Sequence, residues 1–479
     1  MKKILTLFSI AFSLQLPAQN VGIGITIPLE KLHVAGNIKT DTIKPNAMLL
    51  TPNAGLGKVL TSDIAGNASW QNNIVAPGNT GFGVWGDCAT NGNISEYNPV
   101  ADTPGDSLAF FGHSVAVSGN YAIVGAYQDD IGAGNDQGSA SFYKYNGGTW
   151  VFMQKITDVT GAANDFFGYS VSISGNYAIV SALQDDIGAN TDQGSVSIYQ
   201  FNGSSWVFMQ KITDATGAAG DVFGTRVSIS GTYAVVGATA DDVGANTDQG
   251  SASIYRYNGS SWVLMQKITD ASGAAGDFFG FSVSISGNYV AIGIPFDDVG
   301  ANANQGSESI YQYNGSNWVF MQKITDPSGD VNDNFGYSVA VSGNCTVAGA
   351  YADDGNNADQ GSASIYQYSG SNWTLMQKIT DGSGAAGDFF GFSVSISGNY
   401  IILGAPEDKI GINTGQGSAS IYLRVGLGWQ KLQYVTDPAG YNGDSFGNVV
   451  AIDGSTKIFL IGAESYATGS GKVVFGKIN

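Results

Sequence analysis

The sequence predicts an all-β protein, a seven-bladed β-propeller of four-stranded antiparallel blades. Three observations lead there: a Phe-Gly pair recurring seven times, a strand-turn-strand pattern within each interval, and chain segments that fit together as parts of one blade. The pairs are Phe111-Gly112, Phe167-Gly168, Phe223-Gly224, Phe279-Gly280, Phe335-Gly336, Phe390-Gly391 and Phe446-Gly447, separated by 56, 56, 56, 56, 55 and 56 residues. Repeats of this length mark a propeller or a solenoid. The composition agrees: 43% hydrophobic residues can fill a large core, and 68 glycines with 23 Tyr and 24 Phe favour short strands and tight turns over helices.

Within one copy, YSVSIS (169–174) alternates small polar with apolar residues, Gly175-Asn176 is a hairpin signal, and YAIVSA (177–182) is a continuous apolar run. An acidic segment follows, then SVSIYQF, a second turn at NGSS, and WVFMQKIT, which complete four strands. The single shorter copy loses its residue within DDGNNADQG, which identifies that segment as a loop. The last copy ends on its third strand, KVVFGKIN. Ile94–Val100 precedes Asp102, which lies 56 residues before Asp158, and so matches a fourth strand. This N-terminal strand is expected to complete blade seven and close the ring, removing free sheet edges. A linear solenoid would have no use for such a split.

Residues 1–18 have the form of a secretory signal peptide: Lys2 and Lys3, an apolar run from Ile4 to Leu16, and a small residue at Ala18. No later run reaches the roughly 18 apolar residues of a membrane-spanning helix. The expected product is secreted, in the medium or at the outer cell surface, with residues 19–93 as a β-rich leader or stalk and 94–479 as the propeller. Removing residues 1–18, which hold two lysines and no acids, takes the formal charge from −19 to −21. That charge excludes nucleic acid as a natural partner, since phosphate backbones are bound by clustered Lys and Arg. Cations, basic surfaces and neutral glycans fit better.

The segment FGYSVSISGNYAIVSA, with Phe-Gly opening the first hairpin and Gly-Ala or a similar pair closing it, resembles the FG-GAP repeat, the propeller unit of integrin α subunits, over about residues 94–479. The resemblance implies a seven-bladed extracellular propeller used in adhesion or ligand binding, commonly with calcium in its loops. This chain departs from it: integrin-type calcium sites lie between the first two strands in Asp-x-Asp-x-Asp-Gly loops, where here only turns such as Gly175-Asn176 occur. Separately, NVGIGITIPLEKLHVAGNIKT (20–40) and GKVLTSDIAGNASW (57–70) resemble a leader of secreted Bacteroidota and tail-fibre-like proteins. That likeness implies fibrous β-structure through which the chain would oligomerise; a plain linker is the other reading.

From residue 101 onward, every acid except Glu308 and Asp453 falls in the loops of one predicted face, those joining strands two and three and those joining successive blades. The candidate metal-ligating residues are Asp129, Asp130, Asp136, Asp185, Asp186, Asn190, Asp192, Asp241, Asp242, Asn246, Asp248, Asp297, Asp298, Asp353, Asp354 and Asp359. Calcium takes six to eight oxygen ligands and suits such Asp, Asn and carbonyl donors. Equally, Asp and Asn form turns by bonding their own backbones, and the charge serves solubility. Lys155, Lys211, Lys267, Lys323 and Lys378 lie in the fourth strand and are expected on the outer wall.

Positions where the copies disagree point to a ligand site. After each Phe-Gly stands His113, Tyr169, Thr225, Phe281, Tyr337, Phe392 or Asn448; after strand two stands Tyr127, Leu183, Thr239, Pro295, Tyr351, Pro406 or Glu464. Both sets lie at strand ends entering the acidic face, and the first lies on the innermost strand. His113, Tyr127, Tyr169, Phe281, Tyr337, Tyr351 and Phe392 are therefore the candidate ligand-binding residues; relaxed selection at half-exposed positions would give the same variation.

Trp150, Trp206, Trp262, Trp318, Trp373 and Trp429 each open a fourth strand, either stacking sugars or packing the outer blade with the indole N–H bonded. Asn202, Asn258 and Asn314 match glycosylation acceptors and also hairpin turns. Cys88 and Cys345 are the only cysteines, too few for a disulfide framework, though one long-range bridge is open. With two histidines and seven like copies, the unlike groups of acid–base or nucleophilic catalysis are not assembled, and no enzymatic activity is expected. A carboxylate-pair glycosidase is the one chemistry the acids leave open. The sequence thus points to a secreted adhesive or ligand-binding propeller with calcium as a candidate cofactor and a protein or glycan as partner, or else to a multivalent glycan-binding propeller that uses its tryptophans.

Overall fold

The computed structural model describes residues 94–101, 108–355 and 357–479, together with the backbone of four short strands nearer the N-terminus. Two compact units divide at residues 80 and 81. In the first, Val21–Ile23 pairs in parallel with Leu32–Val34, and Lys58–Ser62 forms an antiparallel hairpin with Ala68–Asn72. The expected signal peptide and Cys88 lie outside the described residues. Among the described residues no helix is long and apolar enough to cross a membrane.

The second unit contains seven four-stranded antiparallel sheets, the expected propeller. Blade two shows the plan: Phe167–Ser174, Tyr177–Ala182, Ser195–Phe201 and Trp206–Ile212 pair in chain order. Gly175 turns the first hairpin at φ +56°, a left-handed conformation that costs glycine nothing. Blade seven closes the ring as the split predicted. Ile94–Val100 pairs antiparallel with Lys472–Ile478, from Val473 opposite Val100 to Ile478 opposite Ile94.

The hydrophobic core is divided among the seven junctions between blades. At the junction of blades two and three, Ile179, Val196, Ile198 and Ile212 meet Phe223, Val227, Ile229, Val236 and Tyr255. All seven Phe-Gly phenylalanines are buried in such junctions. The glycines have a different task. A Cβ on Gly237, in the Gly-Ala of blade three, would lie 2.1 Å from the carbonyl oxygen of Gly280, in the Phe-Gly of blade four. The same collision, at 1.9 to 2.3 Å, recurs at Gly125, Gly293, Gly349, Gly404 and Gly462. The paired glycines of the motif therefore let adjacent backbones touch.

Hydrogen bonds also cross the junctions at two radii. Near the axis, serines of one innermost strand accept from backbone N–H groups of the next: Val227 N to Ser170 Oγ at 3.1 Å, Ile229 N to Ser172 Oγ at 3.1 Å, Gly231 N to Ser174 Oγ at 3.0 Å. This accounts for the small polar residues alternating along SVSIS. At the outer wall the Gln154 amide donates to Trp206 O and accepts from Trp206 N, both at 3.1 Å, and the pattern repeats at Gln210, Gln266, Gln322 and Gln377.

The tryptophans are packed, not displayed. Trp206, Trp262 and Trp318 are each 2% exposed, and Trp206 stacks on Phe142 with centroids 4.5 Å apart. Of the two readings the sequence allows, these residues follow packing in the outer blade. The accompanying expectation of a bonded indole fails: the Nε1 atoms of Trp206, Trp262, Trp318, Trp373 and Trp429 have no acceptor among the described residues. Asn202 acts as a turn residue, its Oδ1 accepting from the N–H groups of Ser204 and Ser205.

One buried acid breaks the pattern. Glu308 occupies a junction position that is Ala140, Ala252, Ala363 or Ala419 in other blades and is fully buried, with Oε1 2.5 Å from Thr346 Oγ1. Burial pushes its carboxyl up to about 8 against a partial lowering by Thr346. A protonated Glu308 can donate to Thr346, whose hydroxyl then donates to Ala340 O at 3.2 Å. Because the folded state binds this proton more tightly than the unfolded chain, its stability is greatest below pH 4.5 and declines as pH rises from 4.5 towards 8. Glu308→Ala should therefore melt higher than the parent at pH 8.5, with the gap shrinking towards pH 5, as followed by thermal unfolding across that range.

Candidate functional site

The loop face is built from the aspartates, and the structure places the lysines among them. Lys211 runs from the fourth strand of blade two into this face. There its ammonium group lies 2.8 Å from Asp158, which ends blade one, and in contact with Asp185, in the loop of its own blade. Lys267 repeats this with Asp214 and Asp241, Lys323 with Asp270 and Asp297, and Lys378 with Asp326 and Asp353; Lys155 pairs with Asp129 at 2.5 Å. The expectation that these lysines belong to the outer wall is corrected: only their stems lie along it.

Burial raises the Asp158 carboxyl, but the Lys211 ammonium and the N–H and hydroxyl of Thr160 outweigh it, leaving the group below the usual carboxylate range. Asp165, beside this cluster without a lysine contact of its own, is pushed up to about 6 by burial and by the carboxylate of Asp185. Other candidate metal ligands also have partners within the chain. Asp185 accepts from Ser195 Oγ at 2.5 Å, and Asp129 likewise from Ser139. Asp186, Asp242 and Asp298 accept from the N–H of Asp192, Asp248 and Asn304 at 2.9 Å, Asp130 from that of Asp136, and Asp354 from that of Asp359. Asn190 and Asn246 donate to Gln193 and Gln249 and reach across to Gly217 O and Gly273 O. Among the described residues no group of three or more His, Cys, Asp or Glu converges as a metal cage.

Blades six and seven keep the staple by other means. Tyr434 stands at the lysine position of blade six, donating its hydroxyl to Asp408 at 2.5 Å, while Lys431 approaches Asp381 from three residues earlier. In blade seven Pro99 takes the lysine position, and Lys472, from the third strand, contacts Asp437 instead.

The positions that differ among copies meet around the axis. The innermost strands enclose a cavity of about 480 Å³ whose lining includes His113, Tyr169, Arg226, Tyr337, Phe392 and Glu464. Its mouth is an aromatic belt. His113 and Tyr169 have centroids 4.7 Å apart, Phe281 and Tyr337 4.8 Å, Tyr337 and Phe392 4.9 Å. Between Tyr169 and Phe281, where blade three carries only Thr225, the guanidinium of Arg226 fills the place of a ring, 5.3 Å and 6.0 Å from their centroids. Tyr127 and Tyr351 support the belt from the second strands, at 4.5 Å from His113 and from Tyr337. The His113 Nδ1 lies 2.5 Å from Glu464 and joins blades one and seven. Burial, with the Glu464 carboxylate and Tyr169 nearby, pushes the Tyr127 phenol up to about 12; Tyr337 is raised to about 12, again chiefly by burial.

Of the seven candidate ligand residues, His113, Tyr169, Tyr337 and Phe392 line the cavity, while Tyr127, Phe281 and Tyr351 pack against them. Sequence reasoning missed Arg226, although its departure from the serine at that position in five copies was a visible signal. It also missed Phe166, Phe278 and Phe389, which precede the Phe-Gly pairs at φ +57° and pack edge-on against Tyr127, Phe296 and Tyr351. A left-handed phenylalanine is strained, and only the fold reveals that the strain aims a ring beneath the mouth.

Fold and loop architecture together define the class: a closed seven-bladed propeller with one charged loop face and an aromatic channel mouth. Comparison with known families matches the FG-GAP repeat at residues 102–143, 150–199, 206–255, 262–311, 318–366 and 373–422. The chain belongs to the FG-GAP repeat family. The seventh copy, beyond those matches, takes the same place in the ring. No curated protein sequence matches the chain.

Removing one ammonium group from a staple leaves two buried carboxylates facing each other, a loss of about 3–5 kcal/mol for a broken buried pair. Lys211→Met should show this by denaturant unfolding at pH 7. The deficit should narrow as pH falls below about 4, where the stranded carboxylates take up protons.

Proposed function

We propose that this protein is a non-catalytic ligand-binding module acting outside the cell, with its binding site at the channel mouth. A propeller of this family is consistent with ligand binding, and one observation carries the choice of site: the copies differ most at positions that meet around a single cavity. Over most of the blade the repeat returns the same side chains to the same structural duties. A rigid ring bearing one variable aromatic mouth suits recognition of a group that enters along the axis, with affinity from ring contact and orientation from Arg226, Glu464 and His113. Adhesion to a protein or glycan at a cell surface is the biological role this reading favours. Binding an array of oligosaccharides and peptides with the full chain tests it. Retention should be lost in Tyr337→Ala and kept in Phe208→Ala, whose side chain is exposed on the outer strand; loss in neither variant would place the site elsewhere.

Calcium enters this reading as a dispensable ion. The repulsion that called for a cation is met by lysines of the chain itself, each shared by two carboxylates at four junctions. Thermal unfolding in EDTA and in millimolar calcium should therefore give one midpoint. A ligand at about 100 times its Kd adds about 2.7 kcal/mol, so a calcium-selective rise would overturn the proposed independence.

A further inference from the structure

We infer that the channel mouth takes a singly charged carboxylate carried on a ring or other apolar body, with Arg226 as its anchor. This deepens the proposal that the mouth is the binding site and rests on it.

Arg226 is unlike the lysines that sit at the blade junctions. Lys155, Lys211, Lys267, Lys323, Lys378, Lys431 and Lys472 are each within ion-pair distance of an aspartate, whereas no carboxylate among the described residues lies so close to Arg226. Its recorded hydrogen bond runs from Nη1 to Thr225 O at 2.9 Å. A guanidinium has five N–H donors in a planar fork. The rings of Tyr169 and Phe281 flank it, and such a fork can make bidentate contact with an oxyanion.

The residue also breaks a rule kept by its counterparts. Ser170, Ser282 and Ser338 accept from the next blade's N–H at Val227, Val339 and Val394, at 3.0 to 3.1 Å. Ser114 and Ser393 donate to Gly168 O and Gly447 O. Arginine at this position forgoes a hydrogen bond between blades three and four. Thr225 and Thr239 make the accompanying change, two small residues bonded to each other at 3.1 Å, and leave space that the guanidinium occupies. Blade seven also lacks the serine, with Val449 in its place, but only blade three replaces it with a charged group directed into the cavity, which is the pattern of a functional position.

The remaining lining defines the ligand. Tyr337 and Phe392 offer ring faces, and Asn448, opposite in the gap of the belt, has an Oδ1 shielded from solvent with no donor among the described residues. The cavity suits a small molecule or one residue of a chain. Glu464 at the mouth and the acidic loops around it repel a dianion more strongly than a monoanion, which favours carboxylate over phosphate. An acidic sugar and a peptide C-terminus share this chemistry.

The test is calorimetry and ligand-observed NMR on the full chain with glucuronate, N-acetylphenylalanine, the neutral amide of N-acetylphenylalanine, and inorganic phosphate. Arg226→Ser places in blade three the residue five other blades already use, so it should fold with an unchanged or higher melting temperature. At least one of the two acids should bind the parent, the uronate or the amino-acid derivative identifying the source. A charge-assisted contact is worth about tenfold or more in affinity, so Arg226→Ser should weaken that acid at least tenfold. The amide should bind the parent at least tenfold more weakly than its acid. Equal binding of acid and amide, or no change in Arg226→Ser, would overturn the carboxylate assignment and leave the mouth as the site. Undiminished acid binding in Tyr337→Ala would remove the mouth itself. Failure of both acids to bind, or tighter binding of phosphate, would also overturn the inference.

Discussion

An ammonium group held between two aspartates, one from its own blade and one from the blade before, is the contact on which the ring's loop face depends. Apolar packing between sheets is non-directional and sets no height of one blade against the next. The lysine does: Lys211 can reach Asp158 and Asp185 together only when blades one and two are correctly seated. Serines near the axis and glutamines at the outer wall repeat the constraint at two further radii. The four junctions from blade one to blade five are thereby pinned at three places by side chains whose alternatives would be unpaired polar groups.

This division of labour explains why so acidic a face is tolerated. Its carboxylates are not a uniform negative surface. The first of each Asp pair is buried against a lysine, the second folds its loop by accepting a backbone N–H, and a third group such as Asp165 is pushed up to about 6, chiefly by burial. Charge that reads as excess in composition is largely internal wiring. What remains free to meet a ligand is concentrated at the axis, where repetition lapses.

Much of this was legible in the chain. The 56-residue period, the hairpin punctuation and the match of Ile94–Val100 to a fourth strand specify blades and closure, since they depend on local pattern and counting. The belt of His113, Tyr169, Phe281, Tyr337 and Phe392 was legible as well, because a propeller brings equivalent positions to equivalent radii. The destination of the lysines was not: strand position places the Cα, while a four-carbon stem carries the charge to another face. Nor could Arg226 be weighed from its own blade, as its meaning comes from Tyr169 and Phe281 in the two neighbours. The tryptophans left two readings open for a related reason. An aromatic at the start of an edge strand is compatible with display or packing, and only the adjacent blade, with Phe142 stacked on Trp206, decides between them.

A ring of near-identical blades faces a hazard of addressing: a strand that docked one blade out of place would find the same Lys, Gln and Ser partners waiting. Repeat proteins are prone to such misassembly. The singular contacts act as place marks against it. Glu308 finds Thr346 only at the fourth and fifth blades, Lys472 substitutes for a lysine only at the seventh, and Asp453 accepts from Gly119 N only where the last blade meets the first. These irregularities, negligible beside the repeated bonds in number, give the chain a means of distinguishing its correct threading from its near copies.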